Sequence, residues 1–146
     1  MGFNALLEGS SMSDEISSTI EEIIKKNLRE IIIENKPYTI PFPLGEVTVR
    51  YLSNREMFEA IKEARSLDFY NILNENEKII LENLMMVEKA IVECKVEGKR
   101  VEYNSLSDAL KEVIASSVLA SWVILRNMLR DQAKLRDFLG EKGDQL

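Results

Sequence analysis

Apolar residues recur every three or four positions near the start of the chain: Ile16, Ile20, Ile23, Ile24, Leu28, Ile31 and Ile32. That spacing lays one apolar stripe along a helix. Ser13 stands where an N-cap belongs, and Asp14 and Glu15 suit the positive end of the helix dipole. Glu21–Lys25, Glu22–Lys26 and Lys26–Glu30 are spaced to pair across one turn, each contributing about 0.2–0.5 kcal/mol. Pro37 disfavours helical geometry at Lys36, so the helix is expected to fail near Asn35. The stripe is wider than a lone surface helix needs. It is expected to pack on another helix, in the same chain or in a second copy.

The pattern then changes period. Pro37, Pro41 and Pro43 alternate with Tyr38, Ile40 and Phe42, as in an extended edge segment. Leu44-Gly45-Glu46 is the expected turn, and residues 47–51 alternate apolar and polar as a half-buried strand. Together they predict a β-hairpin. Ser53 or Asn54 is placed to cap the next helix, with Glu56 completing a capping box after Ser53. Met57, Phe58, Ile61, Ala64 and Leu67 give that helix an apolar side. After a break near Asp68, Asn74 or Asn76 caps a longer helix carrying Ile79, Ile80, Leu84, Val87, Ile91 and Val92. Residues 96–103 read as two short extended pieces about a turn, with Gly98 supplying left-handed backbone.

Ser105 or Ser107 caps a final helix expected to run to about Leu139, with a bend, and Gly140 and Gly143 end it. Ser116, Ser117, Ala120 and Ser121 are small and let another helix approach closely. Ile114, Val118, Trp122, Leu125 and Leu129 form a neighbouring apolar face, so the first half of this helix is predicted to be central. The elements define an α+β, predominantly helical class: a short N-terminal β-hairpin packed on a bundle of about four helices. Residues 1–12 (MGFNALLEGSSM) read as a tag-like or alternative-start extension, because a Gly-Ser-Ser run precedes a second methionine. Residues 13–36 form the amphipathic helix, 37–140 the core domain, and 141–146 a disordered tail.

Composition narrows the function by exclusion. The net charge is −6, whereas a duplex binder needs a basic face to displace counterions. The cluster Arg126, Arg130, Lys134 and Arg136 is interrupted by Asp131 and Asp137, and reads as a solvated helix face more readily than as a patch for an acidic partner. The longest uncharged run, 113–125, contains three serines and falls short of a membrane span. No secretory signal pattern opens the chain, and a cytoplasmic protein is expected (in the host cytoplasm, if viral).

Histidine is absent, which removes Ser-His-Asp and Cys-His catalysis and the H-E-x-x-H zinc site. The one cysteine, Cys94, follows Ala90, Ile91 and Val92 near a predicted helix end and reads as a small buried hydrophobe. The six glycines build no phosphate loop. Asn74-Glu75-Asn76-Glu77 lacks the glycine of a calcium loop. No catalytic, cofactor or metal residue is therefore assigned. Carboxylate chemistry remains open, since paired acids suffice for it and 25 acidic residues are present.

Three runs carry a family resemblance. VTVRYLSNREMF (47–58) is a strand leading directly into a capped helix. AIVECKVEGKRVEY (90–103) is a helix end followed by an extended linker. SLSDAL (105–110) opens the last helix. In this layout residues 38–139 resemble small phage tail assembly chaperones, including chaperones of the baseplate hub. The resemblance implies a non-enzymatic protein that holds a tape-measure or baseplate protein until assembly, with no cofactor. Its mechanism would be helix-in-groove burial of a partner's apolar surface. The groove is expected between the final helix and the 57–67 helix, lined by Met57, Ile61, Ala64, Val118, Ser121 and Leu125, with Ile20 and Ile24 on the stripe. A small oligomeric virion or baseplate subunit, self-associated through that stripe, is the alternative. A carboxylate enzyme comes third, and a helix-turn-helix regulator is disfavoured by charge.

Overall fold

The computed structural model describes residues 14–131, 133, 135–137 and 139. The 1–12 extension, the Ser13 cap, the two glycines after the last helix and the 141–146 tail lie outside the described residues. In chain order the elements are α1 (Asp14–Ile32), β1 (Tyr38–Phe42), β2 (Gly45–Val49), α2 (Asn54–Arg65), a 3-10 turn (Tyr70–Ile72), α3 (Glu75–Ala90), β3 (Ile91–Val96), β4 (Lys99–Val101), a second 3-10 turn (Tyr103–Ser105) and α4 (Asp108–Arg130). The architecture is α+β and mostly helical, with one antiparallel sheet in the order β1-β2-β3-β4.

Helix α4 organises the core. Ser107 starts it by accepting the Leu110 N–H at 3.2 Å. Every residue from 114 to 122 is buried, more than two turns with no solvent face. A helix apolar on all sides must be enclosed, and α1, β1 and α3 enclose this one. Trp122 is 0% exposed and meets Tyr51 edge-to-face at 6.4 Å. The helix is interrupted at Asp131, whose ψ of 91° leaves helical backbone. Aspartate competes for backbone hydrogen bonds and is a poor interior helix residue. The bonding resumes when the Leu135 N–H reaches the Asp131 carbonyl at 2.8 Å.

The α1 stripe is consumed inside the chain. Ile20, Ile24, Leu28 and Ile31 are buried, with α4 and β1 as neighbours. The helix ends at Ile32, earlier than Asn35. Asn35 adopts a left-handed φ of 54°, and the Lys36 N–H returns to the Glu30 carbonyl at 3.0 Å. That bond reaches back over the left-handed residue and satisfies one of the last helix carbonyls.

The sheet differs from expectation at three points. The first turn is Pro43-Leu44, so Gly45 and Glu46 belong to β2 and Arg50 and Tyr51 lie beyond it. Gly45 is needed for close approach, because a Cβ there would lie 2.0 Å from the Lys95 carbonyl oxygen. Residues Ile91, Val92 and Cys94, read as the end of a helix, are in β3. An apolar run this short does not distinguish helix from strand. Finally, the two hairpins join through β2 and β3. Thr48 opposes Glu93 and Val49 opposes Ile91, which leaves Val92 as an extra, exposed residue in a bulge. Glu97 and Gly98 both have positive φ at the second turn, as a two-residue hairpin of primed type requires.

Edge strand β1 is protected by its proline. Thr39 and Thr48 share a hydroxyl–hydroxyl hydrogen bond of 2.7 Å across the pair. Pro41, opposite Glu46, has no N–H to offer a further strand. On the core side the Tyr38 hydroxyl lies 2.8 Å from Ser121 Oγ, and Ser121 donates onward to the Val118 carbonyl at 2.6 Å. Since Ser121 spends its proton on Val118, Tyr38 is the donor to Ser121.

Two substitutions test this packing. Gly45→Ala should lose about 1–3 kcal/mol in urea unfolding, because a backbone carbonyl blocks the added methyl. Trp122→Ala should lose about 3–5 kcal/mol. The native emission should be that of a buried indole, and a fully hydrated spectrum contradicts the placement.

Candidate functional site

The eight residues expected to bind a partner come together only as interior. Ile20, Ile24, Ala64, Val118, Ser121 and Leu125 are fully buried, and Met57 is 8% exposed. Ile61 alone is half-buried. Arg126 of α4 lies against the start of α2, with Nε 3.3 Å from the Tyr51 hydroxyl and a terminal nitrogen 3.5 Å from the Met57 sulfur. The expected groove residues are thus used by the fold itself. The physical reason is simple: the most regular apolar positions of a small domain are the ones its own core takes first.

The surface left over belongs to the α2–α3 helical hairpin. Both helices start with full capping boxes. Ser53 accepts the Glu56 N–H while Glu56 accepts the Ser53 N–H, and Asn74 and Glu77 do the same. Arg50 grips the Glu56 carboxylate with both terminal nitrogens, one at 2.9 Å. That grip first, and the Ser53 hydrogen bonds after it, hold the Glu56 pKa down at about 2. Across the pair, Lys89 meets Glu63 at 3.0 Å and Arg65 meets Glu82 at 3.2 Å. The buried Tyr70 hydroxyl donates to the same Glu82 carboxylate, and Lys78 sits 5.3 Å above the Tyr70 ring. The loop at the tip of the hairpin is therefore pinned at Tyr70.

On this fixed frame large apolar side chains face water. Phe58 is 69% exposed, Phe69 47% and Ile72 84%. Phe58, read as part of an apolar side, falls off the buried line of Met57, Ala60 and Ala64. Helix α3 carries apolar residues on most sides yet buries only Asn83, Met86, Val87 and Ala90. Ile79, Ile80 and Leu81 are half-buried, and the amide nitrogen of Asn83 has no hydrogen-bond partner within the protein. The sequence signal for this surface was apolar residues out of register, at Phe58 and in the non-helical segment of Phe69 and Ile72.

Other features offer less. A groove of about 480 Å³ between α1 and β1 is lined by Lys26, Lys36 and Glu30, whose charges do not converge on one chemistry. Cys94 is buried opposite Val47 and Val101, and desolvation raises its thiol pKa. Among the described residues no three His, Cys, Asp or Glu side chains are grouped to hold a metal. No helix among them is long and apolar enough to cross a membrane. No protein-family model, curated protein or solved structure matches the chain.

The Glu56 pair gives a pH signature. A carboxyl with a folded pKa below its ordinary 4.5 stabilises the fold above that value, and the benefit is lost as pH falls from about 4.5 toward about 2. Both partners are about a third exposed, so screening limits the contribution to about 1 kcal/mol. Glu56→Gln should therefore be less stable than the parent at neutral pH, with the gap closing in acid melts. A gap independent of pH contradicts the pairing.

Proposed function

We propose that this protein is a non-enzymatic, protein-binding assembly chaperone or adaptor, acting in the cytoplasm on a helical, apolar-rich partner. One observation carries the reading: α3 is apolar on most sides but has neighbours on only part of its surface. Beside it, Phe58, Phe69 and Ile72 are held out in water by a pinned scaffold. A rigid, exposed apolar surface favours binding because little order is lost on association. The resemblance of the sequence layout to phage tail assembly chaperones supports this use and suggests a partner class, a tape-measure or baseplate protein. The alternative of a structural subunit associated through the α1 stripe has less support, since that stripe is occupied by α4 and β1.

Co-expression with tape-measure or baseplate proteins encoded beside it tests the reading. The parent chain should keep one of them soluble and co-purify with it. The double variant Phe69→Ser, Ile72→Ser should lose that partner while melting within about 0.5 kcal/mol of the parent, as surface substitutions do. If no neighbouring tail protein is solubilised or retained, the proposal is wrong.

A further inference from the structure

The tip of the hairpin is charged as well as apolar, and the two properties together define a partner. Phe69 and Ile72 are exposed there, and Leu73, Ile79 and Ile80 beside them are half-buried. Arg65 is engaged with Glu82, and Lys78 with Glu75 and the Tyr70 ring, while Lys62 lies exposed in the last turn of α2. Asp68 and Glu77 have no cationic partner among the described residues. Glu77 is fixed in place by the capping box, so its charge stands at a defined point beside Ile79 and Ile80.

We propose that this tip binds an amphipathic helix whose apolar face is bordered by lysine or arginine. The inference rests on the protein-binding reading and specifies the occupant of its surface. Helix-in-groove contacts recognise an apolar stripe at helical spacing, and a charged rim sets which helices are accepted. The sign of the rim also decides against a second copy of this chain. Two tips facing each other would bring Asp68 and Glu77 toward their own equivalents, with Arg65 and Lys78 already committed. A basic-rimmed helix meets both requirements.

The experiment uses the full chain and two synthetic amphipathic peptides that share one leucine-rich face and differ only in rim residues, lysine or glutamate. Fluorescence anisotropy should show the lysine peptide binding about tenfold more tightly at low salt. The difference should fade near about 1 M NaCl, where the Debye length is about 3 Å. Ile72→Glu should abolish binding with unchanged thermal unfolding, and Asp68→Lys should narrow the preference between the peptides. Equal binding of both peptides overturns the charge assignment and leaves the protein-binding reading standing. Binding of neither overturns this inference, while retention of a tail protein in co-expression judges the broader proposal separately. A doubled mass in light scattering that Ile72→Glu abolishes assigns the tip to a second copy and also overturns it.

Discussion

The fold depends on the need to enclose α4. A helix with no polar face over more than two turns has to be surrounded, and this chain surrounds it with three different elements. Small residues make that possible. Ser117 and Ser121 are fully buried, and they let neighbours come close where larger side chains would hold them off. The hydroxyls of Ser116 and Ser121 return to carbonyls of their own helix, so burial leaves them satisfied. Tyr38 then ties the edge strand to this helix across 83 residues of sequence. Its phenol is buried, and burial pushes its pKa up, so it remains a neutral donor.

What the sequence revealed was local. The capping box at Ser53 needs only four adjacent residues, and the α1 stripe needs only a period. Gly98 and the prolines of β1 likewise act on their own backbone. The pairing of β2 with β3 was hidden because it joins residues more than forty positions apart in a register shifted by a bulge. Gly45 looked like a turn residue for the same reason: the carbonyl that forbids a side chain there belongs to Lys95. Residues expected to line a groove are interior because regular apolar spacing marks what a domain buries for itself. The exposed residues are the irregular ones.

Helices α3 and α4 show a similar spread of apolar residues meeting two fates. Each is apolar on most sides, but α4 lies between α1, β1 and α3, whereas α3 has α2 and α4 as its main helical neighbours. Exposed apolar surface on a mobile loop would collapse onto the body of the domain. Here Tyr70, Glu82 and Lys78 prevent that by fixing the loop from beneath.

Between α3 and β3 there is no linker: the helix ends at Ala90 and the strand begins at Ile91. The Ala90 carbonyl accepts the Arg50 N–H at 3.2 Å, and Arg50 holds the first turn of α2 through Glu56. Both legs of the hairpin are thus rooted near one point on the sheet, α3 directly and α2 through residues 50–53. The direction in which the hairpin leaves the sheet is therefore set at the Arg50–Ala90 junction, beside an interior strand.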